Sequence, residues 1–444
     1  MASVAPHYVR AYSNLLVSNR RRLNGRFTSV RRRPESTPEI LGDLASPVFP
    51  PEALPTLANM EATGRSVTLD PDLMMRAAME QTRLEDFGEP TFRPRLDLLC
   101  HSLNTEASLS GVGMISQFGA ITALLKARLR LEALITLHPE IRHIEITRPI
   151  VLCGLPRTGS THLHGLLAAD PGLRSLPHWE SIEPFEGPDE AGTIQPRRLR
   201  VEQSLTFQNA ALPYLKRMHD VGTDHPQEDI QLLAIDFSSM MFEAAAPMPT
   251  WRDAYLARDQ RPSYAYLKLI LQALTWLRGG QRWVLKAPQH AEQLSTLLDT
   301  FPDATFVVTH REPVAVTASW ATTFAYFARM WQASPDPTAI GRYWADRVEH
   351  MMRRCVNDRD DLPAGRTMDL GLDEYRGDEM AWVSRIYGLA EQPMTRRGRK
   401  AMRTYLAEHR PGQFGTVAYD LAPLGLDGEE RRAALRFYAD RFGV

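Results

Sequence analysis

The sequence predicts an α/β fold: a parallel β-sheet with a phosphate-loop-like (P-loop-like) turn, flanked by helices and preceded by an N-terminal helical lead-in. Three observations predict it. The runs "PIVLCG", "RWVLKAP" and "ATFVVTH" are short, continuously apolar and bounded by glycine or polar residues, as strands buried on both faces are. Each is followed by a helical pattern, and strand–helix alternation requires a parallel sheet with ligand at the strands' carboxyl ends. The 444 residues are 43% hydrophobic and 24% charged, which is ordinary for a globular protein with a large core.

In chain order, residues 1–67 form a basic, proline-rich arm. Residues 1–33 hold eight arginines and no acid, and 34–66 read as a linker or wrapping arm. Residues 68–145 carry helical periodicity for about three helices, the first capped by Asp70 or Asp72 in "DPDLMMRAAMEQT". Residues 146–444 form the α/β domain. Its first strand, 149–153, leads into the helix "THLHGLLAADP". "QHAEQLSTLLDTF" and "PVAVTASWATTFAYFARM" follow the next two strands, and a weaker strand, "RTMDLGL", precedes "MAWVSRIYG" and "RGRKAMRTYLAEH".

Composition narrows the function. A formal net charge of −1 creates no global field for nucleic acid. Cys100, Cys153 and Cys355 are widely separated, which favours a reducing compartment and argues against structural zinc. "AITALLKARLRLEALITL" carries Lys126, Arg128 and Arg130 and reads as an amphipathic helix of a soluble chain. The N-terminus lacks the apolar core of a secretory signal, so a cytoplasmic location is expected. The arginine-rich tail has two open readings, a solvated arm or an arm attracted to an anionic membrane surface or a partner.

The informative stretch is "GLPRTGST", residues 154–161. Its glycine spacing matches G-x-x-x-x-G-K-[ST], but Ser160 stands where a triphosphate site places lysine. A strand, a glycine turn and a helix start still make a nest of N–H groups for an anion, and Arg157 adds a permanent positive charge. The neighbouring strands end in Lys286 and in Thr309–His310–Arg311, cations where a magnesium site needs an aspartate. Arg311 at a strand end and Ser319 on the following helix can grip one phosphate from two sides.

Together "PIVLCGLPRTGST", "WVLKAP" and "THREPVAVTAS" resemble the sulfotransferase superfamily, in particular its bacterial branch with P-R-[ST]-G-[ST]-T loops, over about residues 68–427. The resemblance implies transfer of a sulfuryl group from 3′-phosphoadenosine 5′-phosphosulfate (PAPS) to an acceptor hydroxyl, leaving 3′,5′-adenosine bisphosphate, without a metal. It implies that Arg157, Thr158, Gly159, Ser160 and Thr161 bind the 5′-phosphosulfate, and that Arg311 and Ser319 bind the 3′-phosphate. Arg157 and Lys286 would stabilise charge on the leaving oxygen.

The resemblance also implies a carboxylate base, for which Glu180 is the first candidate, ahead of His178, Glu183 and Glu228. The chain departs from the family's pattern at Ser160, at Leu372 near the expected adenine site, and in "EHRPGQFG", where Arg410 only loosely matches a nucleotide-closing loop. The acceptor is expected to be a small lipophilic alcohol in a pocket lined by "DFSSMMFEAAAPMPTW" and "TTFAYFARMW". Two rival functions remain on these residues: a magnesium-dependent kinase and a non-catalytic nucleotide-binding scaffold.

Overall fold

The computed structural model describes residues 37–190, 192–280 and 282–444; the arginine-rich stretch 1–33 lies outside them. Four helices come first: α1 (Leu54–Gly64), α2 (Pro71–Thr82), α3 (Arg93–Thr105) and α4 (Gly111–Leu137). The last three are the expected lead-in, and Asp70 caps α2 by accepting from the Leu73 amide at 2.8 Å. Helix α1 lies in the stretch read as a linker. Pro55 sits in its first turn, where a missing N–H costs nothing, and Leu57 and Met60 are buried.

Helix α4 contains the apolar segment with embedded cations. Arg128 is 2% exposed, yet satisfied: it donates to the Phe87 carbonyl at 2.7 Å and to Asp236 at 3.1 Å, and lies 4.3 Å over the Phe92 ring. No helix among the described residues is long and apolar enough to cross a membrane.

The sheet has four parallel strands in the order β2-β1-β3-β4: β1 (Ile150–Gly154), β2 (Val284–Ala287), β3 (Thr305–His310) and β4 (Thr367–Gly371). Every residue of β1, β2 and β3 is buried, which is why they read as continuous apolar runs. Helix α5 (Ser160–Ala168) follows β1, α6 (Gln195–Ala211) and α7 (Arg261–Arg278) lie between β1 and β2, and α8 (Pro313–Ala328) and α9 (Pro337–Asp358) follow β3. After β4 come α10 (Glu379–Ala390) and α11 (Arg396–Glu408). From β1 the chain goes to β2 on one side and then to β3 on the other, so a crevice opens outside the carboxyl ends of β1 and β3.

The N-terminal arm straps the C-terminal segment. The Glu39 amide donates to the Thr416 carbonyl at 2.9 Å, and the Ala418 amide returns a bond to the Glu39 carbonyl at 2.8 Å. The Glu39 carboxylate meets Arg217 at 3.0 Å, and Asp43 accepts two bonds from Arg329 at 2.8 and 2.9 Å.

Register sets the crevice closely. Gly154 pairs with Thr309, and a Cβ at position 154 would fall 1.9 Å from Thr309 Oγ1. Gly154→Ala should therefore lower unfolding free energy by about 1–3 kcal/mol, the usual cost of overpacking. Urea denaturation checks this, and an unchanged midpoint would contradict the packing described.

Candidate active site

Between β1 and α5 the chain makes a turn with two residues at positive φ, Arg157 at 68° and Gly159 at 86°. Glycine takes such a conformation freely, whereas arginine is held there at a cost of order 1 kcal/mol. Three contacts hold the turn. Arg311 Nη1 donates to the Arg157 carbonyl at 3.0 Å. Thr158 Oγ1 donates to the Leu155 carbonyl at 2.7 Å and lies 2.6 Å from Thr309 Oγ1, whose proton fills that bond. Helix α5 starts without a side-chain cap, leaving its first-turn N–H groups without a side-chain acceptor.

Cations converge on this turn. Arg157 spends its donors on neutral oxygens: Ser319 Oγ at 2.9 Å, Tyr419 Oη at 3.1 Å, and the Met218 carbonyl. Neither Arg157 nor Arg311 has an ion pair with a described residue. Burial, and then repulsion from Arg157 and Arg376, pushes the Arg311 pKa down from its ordinary value. An anion seated between these guanidiniums would relieve that repulsion.

Lys286, near the carboxyl end of β2, is 5% exposed. Its Nζ donates to Thr161 Oγ1 at 3.1 Å and pairs with the Glu228 carboxylate. Beneath it, Asp229 accepts the Lys286 backbone amide at 2.7 Å and faces His290 Nε2 at 2.8 Å, while His290 Nδ1 is 3.0 Å from Tyr264 Oη. This buried chain fixes the Glu228–Asp229 turn against the edge of the sheet.

The structure thus brings together Arg157, Thr158, Gly159, Ser160, Thr161, Lys286, Arg311 and Ser319. It does not bring Glu180 to them. That carboxylate is 0% exposed and accepts from Arg174 at 2.9 and 3.2 Å and from Arg278, with no bond to Lys286 or the turn. Two guanidiniums hold it in place as their counter-ion. Glu183 is taken up by Arg200, at 2.5 and 2.7 Å. Glu228 is the carboxylate in contact with Lys286.

Leu372 packs over the turn, 2.6 Å from where a Gly159 Cβ would lie, and Arg410 donates to the Ala407 carbonyl at 3.2 Å. Much of the apolar segments expected to line an acceptor pocket belongs to the hydrophobic core. Phe237, Met240, Phe242, Met248, Trp251 and Tyr326 are all buried, and Trp251 stacks on Tyr255 with ring centres 5.2 Å apart. Sequence reading missed Tyr419 and the Met218 carbonyl. They lie 262 and 61 residues from Arg157, with no local pattern to flag them.

The fold and the strand-end cations define an α/β protein with a cluster of cations at the mouth of its parallel sheet. The family profile described as "Sulfotransferase family" matches residues 149–396, more than half of the chain. The chain belongs to the sulfotransferase family. Among solved structures it is similar to sulfotransferase STF9 from Mycobacterium avium, at 28% identity and a TM-score of 0.75, with 84% of this chain and 96% of that one covered. It is also similar to sulfotransferase STF1 from Mycobacterium tuberculosis H37Rv, at 28% identity and a TM-score of 0.72, covering 82% and 97% respectively. No curated protein sequence matches significantly.

Histidines around the site are held neutral. Burial lowers the pKa of His164 to about 3 and of His178 to about 4; burial, with repulsion from Lys286 and Arg157, takes His219 to about 3. A histidine whose folded pKa lies below its unfolded value near 6.5 makes the unfolded state the better proton acceptor. Stability is therefore whole above that unfolded value and falls as pH drops toward the folded ones, for buried His164 by up to about 1.4 kcal/mol per pH unit. Melting temperature should fall between pH 7 and 4.5, and His164→Met should flatten the fall. Equal slopes in the two proteins would refute the assignment to His164.

Proposed function

We propose that the protein moves a sulfuryl group from PAPS to the hydroxyl of a small-molecule acceptor, without a metal ion. The observation that carries this reading is the gathering of Arg157, Arg311 and Lys286 around one uncapped helix start, where among the described residues only Lys286 has a side-chain ion pair, with Glu228. Such a cluster fits a ligand with negative charge at two places, and family membership supplies the sulfuryl chemistry. The donor brings an activated sulfuryl group on a phosphate leaving group.

In this reading the amides of Thr158–Thr161 and the Arg157 guanidinium hold the 5′ end, and Arg311 with Ser319 holds the 3′-phosphate. Each charge-assisted bond is worth about 1.5–3 kcal/mol. Transfer through a loose in-line transition state needs little beyond alignment and charge neutralisation. Lys286 supplies the latter at the bridging oxygen.

We assign the base to Glu228 rather than Glu180. Its carboxylate is 20% exposed and bonded to Lys286. When Lys286 turns toward the leaving oxygen, Glu228 loses its partner beside the acceptor and can take the hydroxyl proton.

The direct test is transfer of labelled sulfate from PAPS into a metabolite extract, with products read by mass spectrometry. Transfer should survive chelation by EDTA; loss on chelation would favour a metal-dependent enzyme instead. Arg311→Ala should weaken 3′,5′-adenosine bisphosphate binding at least tenfold by calorimetry, and an unchanged dissociation constant would remove that assignment. Glu228→Gln should cut kcat by about 10²–10⁴ with bisphosphate affinity within threefold, as loss of general-base catalysis does. Full activity in Glu228→Gln would return the role to another group.

A further inference from the structure

A second polar recess lies beside the strand-end site. It is a cleft of about 490 Å³ whose polar wall includes Arg174, Ser175, His225, Arg278, Tyr405 and His409. Its volume suits a small metabolite. Its charge is unbalanced: Arg174 and Arg278 share one carboxylate, Glu180. Asp224 at the same wall is engaged by Arg198, at 3.1 Å from its Nε, and so leaves the two guanidiniums with Glu180 as their shared counter-charge.

Two polar atoms of the wall, Arg174 Nε and Ser175 Oγ, are buried without a hydrogen-bond partner. An arginine nitrogen can only donate, so what it lacks is an acceptor oxygen. Opposite them, His225 and His409 meet with their Nε2 atoms 3.3 Å apart. Helix α11, which contributes Tyr405 to the cleft, also exposes Arg396, Arg397, Arg399, Lys400 and Arg403, none in an ion pair with a described residue.

Both walls lead to the strand-end site. From His225 and Pro226 the chain reaches Glu228 within three residues, and Glu228 is on Lys286. On the other side Tyr405 packs on His162, with ring centres 5.8 Å apart, and His162 follows Thr161, the partner of Lys286.

We propose that this cleft seats the acceptor by an oxyanion, a carboxylate or phosphate held by Arg174 and Arg278, so that the acceptor is an anionic hydroxy compound. The inference rests on the sulfotransferase reading and replaces the lipophilic alcohol expected from sequence. The surplus charge and the orphaned donors select an oxyanion over a neutral group. The basic face of α11 adds attraction at long range.

Calorimetry on the full chain, preloaded with 3′,5′-adenosine bisphosphate, tests it with three probes: phenyl phosphate, phenylacetate and benzyl alcohol. At least one oxyanion should bind tenfold or more tightly than benzyl alcohol. Arg278→Gln should weaken that binding at least tenfold. So should Ala168→Leu, which fills the cleft from α5 without touching a charge and stands in should the arginine variant fail to fold. Bisphosphate affinity should stay within twofold in both.

Equal affinity for charged and neutral probes would overturn the proposal, as would oxyanion binding that both variants leave intact. Oxyanion binding abolished by Arg311→Ala alone would place the probe in the donor site and also overturn it. A protein that fails to bind the bisphosphate yet keeps Arg278-dependent oxyanion binding would lose the donor assignment while retaining the cleft.

Discussion

Positive charge held without matching negative charge is the constraint on which the site depends. Arg157 and Arg311 are fixed by carbonyls and hydroxyls, partners that orient a guanidinium but do not neutralise it. The arrangement persists because larger packing forces over-determine it. The Thr158–Thr309 contact ties the turn to β3, and the parallel register of β1 with β3 leaves no room for a side chain at 154. Electrostatic cost built into a scaffold in this way is recovered when an anion arrives, since the donors need not reorganise.

The helical lead-in takes part in this scaffold. Asp236 binds Arg95 of α3 at 2.6 Å and Arg128 of α4 at 3.1 Å, and accepts from Ser263 of α7 at 2.7 Å. That carboxylate lies seven residues beyond Asp229, on the same run of short helices. A second buried network joins Arg347 of α9 to Glu243 and Glu292, at 2.9 Å each, with Tyr343 also on Glu243 at 2.7 Å. Breaking either network by removing one partner would strand a buried charge, a loss of several kcal/mol by the usual measure. The segment that carries Glu228 is thereby held from both the lead-in and the sheet.

What the sequence made legible follows from the range of each interaction. Strands buried on both faces announce themselves in four to six residues, and the glycine turn with its flanking strand and helix is also local. Lys286, Arg311 and Ser319 were legible because strand ends in a parallel sheet must meet at one edge. The setting of Glu180 was not legible, because its two arginines, one of them 98 residues away, cannot be read from its neighbourhood. The methionine- and aromatic-rich segments are ambiguous for a different reason: an apolar stretch looks the same whether it lines a cavity or fills one. Helix α1 was hidden by prolines that its first turn tolerates.

One further consequence concerns the order in which the molecule can become active. Arg157 receives a partner from Tyr419, and the segment around Tyr419 is pinned by Glu39. That arginine is gripped from both sides only once the segment around Tyr419, far along the chain from β1 and its turn, has docked. The setting of that arginine is thus a long-range contact, formed late relative to the local turn it serves.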